Sequence, residues 1–216
     1  MEFCEKWISK LDTDPDLAMH VVWSDESIFK LNGTVNRHNS VYWASENPNL
    51  RYEAEMNAPG VCVWAGIWYG GIIGPFFFDG TVTAVSYLNM LENQAFPQIM
   101  GLHEYHQLWF QQDGAPAHYA GIVRTWLQEH FPGHVMGRRG DIDWPPRSCD
   151  LTPPDFFLWG YIKEKVYSEK QLSLNQLRAS IQEHFQNIPP DMCAAVCESV
   201  HGRLLKCVEL AGAQVI

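Results

Sequence analysis

The chain has 216 residues, 46% hydrophobic and 13% aromatic, enough to bury a substantial core as one domain. Its net charge of −10, from 15 Lys plus Arg against 25 Asp plus Glu, argues against a protein that holds nucleic acid by electrostatics alone. No apolar run approaches the roughly 18 residues of a membrane span, and the start, MEFCEKWISKLDTD, lacks the order of a signal peptide, so an intracellular location is the default expectation.

From Met1 to Leu17 the pattern predicts a short amphipathic helix, with Phe3, Trp7 and Leu11 at helical spacing. HVVWSDESIFKL, His20 to Leu31, reads as a strand that Asn32-Gly33 ends, and SVYWAS, Ser40 to Ser45, as a second strand. GVCVWAGIWYGGIIGPFFFDG reads as a buried hairpin turning at Gly70-Gly71, and a helix from Ala84 to Met100 directs Leu88, Leu91 and Ile99 inward. QLWFQQDGAPAH carries Leu108, Trp109 and Phe110 on a strand that ends at Asp113, with a helix straight after it. Tyr119, Ile122, Val123, Trp126 and Leu127 mark the inner face of that helix.

Asp141 to Trp144 is a short fifth-strand candidate, and the prolines of WPPRSCDLTPPD keep the chain extended. A helix from Asp155 to Ser168, with Leu158, Tyr161, Ile162 and Val166 along it, and two further helical stretches complete the chain. This is an α/β order with a mixed five-stranded sheet flanked by helices, the order of the ribonuclease H-like fold. The expected organisation is an N-terminal helix over 1–17, the core over 18–168, and C-terminal helices over 169–216 packed on that core. The six cysteines are scattered without a CxxC pair, which predicts reduced, mostly buried thiols and neither a zinc site nor a disulfide scaffold.

Several acids stand in unusual places. Asp25 lies mid-strand between Trp23 and Ile28, where a charge is costly unless paired or metal-bound, while alternation turns Glu26 to the opposite face. Asp25 could equally be a solvent-facing strand residue, and Asp113 a turn or capping residue. If the first and fourth strands are neighbours, however, the two carboxylates converge and want a cation. Asp150 and Asp155 both precede or open a helix, where either could be only a cap.

The segments SDES around Asp25, QQDGAPAH around Asp113 and WPPRSCDLTPPDFFLWG around Asp155 resemble, in order, the three catalytic blocks of the mariner-type transposases, within the DDE/D transposase and integrase superfamily. The likeness runs from about His20 to Val166. It places the three catalytic, metal-binding acids on Asp25, Asp113 and Asp155, and the non-catalytic turn aspartate on Asp150. His118 matches a histidine of the second block and is a candidate for supporting the acids, or else a solvated helix-surface residue.

Two departures stand out. Between Asp113 and Asp155 lie 41 residues, longer than the commonest mariner spacing, and RSCDL stands where Tyr-Ser-Pro-Asp-Leu is more usual. Neither removes an acid.

The resemblance implies metal-dependent DNA strand cleavage and strand transfer with two Mg²⁺ or Mn²⁺ ions, Asp25 bridging them, Asp113 on one and Asp155 on the other. It further implies DNA as partner, both transposon ends and target, a homodimer in the full-length context, no membrane association, and a nuclear location. Arg138, Arg139 and Arg147, in the stretch leading to Asp155, are candidate DNA contacts, although charges in a loop are often only solvated.

The family's N-terminal helix-turn-helix modules have no counterpart in this sequence, which suggests a truncated copy, a separate domain or a host-retained remnant. The rival expectation is a domesticated or remnant non-catalytic module that uses the same fold to bind DNA or protein. Plain ribonuclease H activity is a third option.

Overall fold

The computed structural model describes residues 1–33 and 58–215. Its centre is a five-stranded sheet in the order β3-β2-β1-β4-β5. The strands are β1 (Val21–Lys30), β2 (Gly60–Trp68), β3 (Gly71–Phe78), β4 (Trp109–Gln111) and β5 (Val135–Met136). β1, β2 and β3 form an antiparallel meander, while β4 runs parallel to β1 and β5 parallel to β4. The expected mixed sheet of the ribonuclease H-like order is therefore what the chain builds. The strand expected over Ser40–Ser45 falls outside the described residues.

Alternation along β1 explains how helices cover both faces. Val21, Trp23 and Phe29 face one core with Val61, Val63, Ala65 and Ile67 of β2. Over this core lie α1 (Glu2–Thr13), α5 (Trp159–Val166), α6 (Leu174–Gln186) and α7 (Pro190–Glu209), through Trp7, Ile162, Ile181 and Leu204 among others. Val22, Trp64 and Phe110 face the second core, covered by α2 (Ala84–Met90), α3 (Phe96–Met100) and α4 (Gly121–His130). Among the described residues no helix is long and apolar enough to cross a membrane.

The single helix expected over Ala84–Met100 is α2 and α3 joined by a π-helical turn at Leu91–Ala95, just before Pro97. Proline lacks the N–H that an α-helical ladder would use there, so the wider turn lets the helix run on. The cysteine expectation holds for Cys4, Cys193, Cys197 and Cys207, which are buried, whereas Cys149 is exposed.

Three local expectations need correction. The fifth strand is Val135–Met136; Ile142 makes only an isolated bridge to Met136, and the Asp141 carboxylate accepts from the Val135 N–H at 2.9 Å, which ends the pairing. No helix follows directly on Asp113. Residues 112–120 form a loop with a turn at 116–119, and α4 starts at Gly121. The inner face of α4 is narrower than expected: Val123, Trp126 and Leu127 are buried while Ile122 is exposed, and Tyr119 precedes the helix.

Candidate active site

The register of β1 and β4 decides where the first two acids meet. Val21 pairs with Trp109 and Trp23 with Gln111, so Asp25 and Asp113 each lie two residues beyond the last matched pair. The ladder is closed by side chains: Ser24 Oγ donates to the Gln111 carbonyl at 2.6 Å, and the Ser24 N–H donates to Gln111 Oε1 at 3.2 Å. Past that clasp the two strand ends part and leave a pocket of about 390 Å³ at the carboxyl end of the parallel pair, the usual position for a site in such a sheet.

Asp155 reaches the same pocket from the other side of the chain. Pro153 and Pro154 open a π-helical turn, Pro154–Leu158, that runs without a break into α5. A π turn adds a residue to the helical cycle and so re-aims the side chains on it, and such turns recur at functional sites. Asp25, Asp113 and Asp155 all line the pocket, with Ser24, Gln111 and Arg147. Asp150 does not line it. That carboxylate is buried and accepts from the Val215 N–H at 2.8 Å, while the Asp150 carbonyl accepts from Arg203 at 3.0 Å, tying the chain's end to the turn.

The charges in the pocket act on one another. Burial, then the Asp155 carboxylate, then Glu26 push Asp25 well above the ordinary carboxylate range, against the pull of a 2.8 Å hydrogen bond donated by the Trp159 indole N–H. Burial and the Asp113 carboxylate push Asp155 up to about 6, partly offset by Lys163. Lys163 is itself held below its ordinary value by burial, although Asp25 and Asp155 pull the other way. Its ammonium lies 5.4 Å from the centre of the Phe29 ring. Trp159 and Lys163 follow Asp155 at four-residue steps, so one helix face carries the acid, the clamp on Asp25 and a cation.

Asp113 is the exception, held below the ordinary range. Burial works against its charge, but the hydrogen bond and charge of His118 outweigh it. His118 Nδ1 lies 2.5 Å from Asp113 Oδ1, which also accepts from the Ala115 N–H at 2.9 Å. His118 Nε2 lies 3.1 Å from Glu26 Oε1. Burial depresses this imidazole, yet the two carboxylates raise it to about 10. The solvated surface histidine is therefore excluded: His118 is 3% exposed.

Glu26 does face away from Asp25, as alternation requires. It is nonetheless joined to the acids, because the turns after Asp113 bring His118 round the strand end to meet it. Sequence reasoning missed this link, the Gln111 clasp and the Trp159 clamp. The signals available were a Gln-Gln pair between an apolar strand and an acid, and the four-residue spacing from Asp155.

The oxygen donors suit a hard divalent cation, and Gln111 Nε2 is a buried donor without a partner among the described residues. Among those residues no group of three His, Cys, Asp or Glu is drawn together tightly enough to hold an ion as it stands. Asp113 Oδ1 is committed to His118 and Ala115, whereas Asp113 Oδ2 has no hydrogen bond among the described residues. Of the candidate arginines, Arg147 lines the pocket, Arg138 stacks 4.1 Å from the Tyr119 ring centre, and the Arg139 N–H donates to Asp143.

No protein-family model matches the chain. The Tcb1 transposase of Caenorhabditis briggsae is 26% identical over 200 residues, covering 88% of this chain and 68% of that protein. The Tc3 transposase of Caenorhabditis elegans is 24% identical over 196 residues, covering 89% and 56%. Among solved structures, the Mos1 transposase catalytic domain with Raltegravir and Mg superposes with a TM-score of 0.76 at 19% identity, covering all of this chain and 94% of that one. The Mos1 mariner paired end complex with Mn gives 0.81 at 19% identity, and there this chain spans only 62% of its counterpart. The chain is similar in sequence to the Tc1/mariner transposases and has the ribonuclease H-like fold of the Mos1 catalytic domain.

Proposed function

We propose that this chain is the catalytic domain of a DNA transposase, performing metal-dependent strand cleavage and strand transfer with Asp25, Asp113 and Asp155 as the catalytic, metal-holding acids. The observation that carries the reading is the meeting of these three carboxylates, from three separate segments, round one pocket in which Asp25 and Asp155 are both driven above their ordinary range. Perturbed acids gathered in a cleft are what a functional site looks like, and the mutual repulsion is what a cation would relieve. Held by these acids, two Mg²⁺ or Mn²⁺ ions would supply activation of water or of a DNA 3′-hydroxyl and stabilisation of the leaving oxygen.

The protein's own groups have definite tasks in that scheme. The Trp159 N–H fixes Asp25, the central acid, on the rigid strand β1. His118 and the Ala115 N–H fix one oxygen of Asp113 and leave the other for a ligand. Lys163 and Arg147 place positive charge at an otherwise acidic pocket, where a phosphodiester would be drawn in. The partner in this reading is DNA, as transposon end and target, the working form a homodimer of the longer protein, and the location nuclear.

The test is plasmid nicking. Supercoiled DNA incubated with the chain and Mn²⁺ should be nicked, nicking should vanish with a chelator and in Asp25→Asn and Asp155→Asn, and it should persist in Asp150→Asn. Absence of nicking by a folded, DNA-bound wild type, or nicking that survives both Asp25→Asn and Asp155→Asn, would overturn the catalytic assignment and leave the interaction module as the better account.

A further inference from the structure

Glu26 and Asp113 come from different strands and opposite sides of the β1 end, yet one imidazole joins them. His118 Nε2 stands 3.1 Å from Glu26 Oε1 and Nδ1 stands 2.5 Å from Asp113 Oδ1. The ring is walled in. It packs on Tyr87 with centroids 4.3 Å apart, Tyr87 Oη donates to Gln112 Oε1 at 3.0 Å, and Gln112 Nε2 donates to the His118 carbonyl at 3.0 Å. Tyr87 and Gln112 are buried as well, so the frame around the ring is fixed by packing and by satisfied polar groups.

We infer that Glu26 is a positioning residue for Asp113, acting through His118: it holds the imidazole so that Asp113 Oδ1 is pinned and Oδ2 is presented to a divalent cation. This rests on the reading of Asp113 as a metal ligand. Hydrogen-bond bookkeeping supports it. Each ring nitrogen meets a carboxylate oxygen, so the ring is held at both edges and its plane is fixed between Glu26 and Asp113.

Without Glu26 the ring loses the contact that holds its Nε2 edge, and with it the restraint that aims Nδ1 at Asp113 Oδ1. Asp113 would then be firmly pinned only by the Ala115 N–H, with the loosened ring as its other partner. Partners that orient a ligand from behind are commonly worth 10- to 100-fold in metal affinity.

The experiment is Mn²⁺ titration by calorimetry into the full chain, with a proton spectrum of the imidazole N–H region at one fixed neutral pH. The wild type should bind Mn²⁺ and show a low-field N–H resonance from the short His118–Asp113 bond. Glu26→Ala should weaken Mn²⁺ binding about 10-fold or more and lose that resonance. Glu26→Gln keeps an acceptor oxygen without the charge, and should recover part of both.

A merely structural Glu26 would lower the melting temperature of the variants and leave Mn²⁺ affinity unchanged, and that result overturns the inference. If Glu26→Ala fails to fold, Glu26→Gln decides: weaker Mn²⁺ binding at unchanged melting temperature supports the relay, and unchanged binding overturns it. A folded wild type that takes up no Mn²⁺ at millimolar concentration refutes the metal reading itself, a different result from a wild type that binds and a Glu26 variant that binds equally well.

Discussion

Replacing Asp25 by Asn removes one carboxylate from the pocket and keeps an oxygen to accept from Trp159, a bond of 2.8 Å in the wild type. Two unit charges about 6 Å apart repel by about 3 kcal/mol at an effective dielectric of about 20. Asp155 is crowded on its pocket side yet still open to water, and screening there lowers the usable figure to about 1 kcal/mol, or about 2–4 °C in Tm for a chain of this size.

The pH dependence follows from the sign of the shifts. A carboxyl whose pKa is higher in the folded than in the unfolded chain adds stability below its unfolded value and loses it as pH rises through the folded one. Asp155 is raised to about 6 and Asp25 is raised as well, so at pH 5 the repulsion is absent, and it grows as pH rises through the values of the two acids. Metal-free Asp25→Asn should therefore melt level with wild type at pH 5 and gain on it as pH rises, by about 2–4 °C once both acids of the wild type are ionised. Mg²⁺ at about ten times its Kd should add about 1.4 kcal/mol to the wild type, about 3–6 °C, and little to the variant. The assay is circular-dichroism melting with chelator and then with Mg²⁺. A variant that melts lower than wild type throughout that pH range, or that keeps the full Mg²⁺ shift, would refute the acidic-pocket argument.

Asp150→Ala should cost about 1 kcal/mol through the lost bond to the Val215 N–H, 2.8 Å in the wild type, and leave the Mg²⁺ shift intact; a lost shift in these melts would mean that Asp150 belongs to the site. Trp159→Phe removes both the donor to Asp25 and part of a buried ring, and denaturant titration should show a loss of about 2 kcal/mol or more. A loss under about 0.5 kcal/mol would show the clamp to be idle. Against random duplex at two salt concentrations, the chain should bind weakly and without sequence preference, because its net charge is −10. Arg147→Ala should lower the salt slope by about 1, and an unchanged slope would remove Arg147 from the DNA path.

The long elements were legible because their signals were long. β1 is ten residues long and rich in β-branched and aromatic types, and the hairpin of β2 and β3 carries two apolar runs round a glycine pair. β5 has two residues, Val135 and Met136, too few for any period, and its neighbours Ile142 and Trp144 alternate as a strand would. Asp113 misled in another way. An aspartate whose side chain accepts from the N–H two residues on makes a turn, and from the sequence this looks the same as one that opens a helix.

The candidate site divides along the same line. Asp25 and Asp113 could be brought together from sequence because a parallel register needs only strand order, and the structure supplies it through Val21–Trp109 and Trp23–Gln111. Glu26 could not be tied to them by any period, since alternation correctly puts it on the far face. Its link runs through residues 112–120, where no repeat spacing operates and position is set by hydrogen bonds between distant groups. In this fold the two faces of β1 carry different kinds of acid. The Asp25 face leaves a carboxylate strained and available, whereas the Glu26 face spends one on a buried imidazole. A single residue step along a strand thus separates an acid exposed to its rivals from one that holds a neighbour in place. That is why Glu26→Gln and Asp25→Asn should act differently on the same metal.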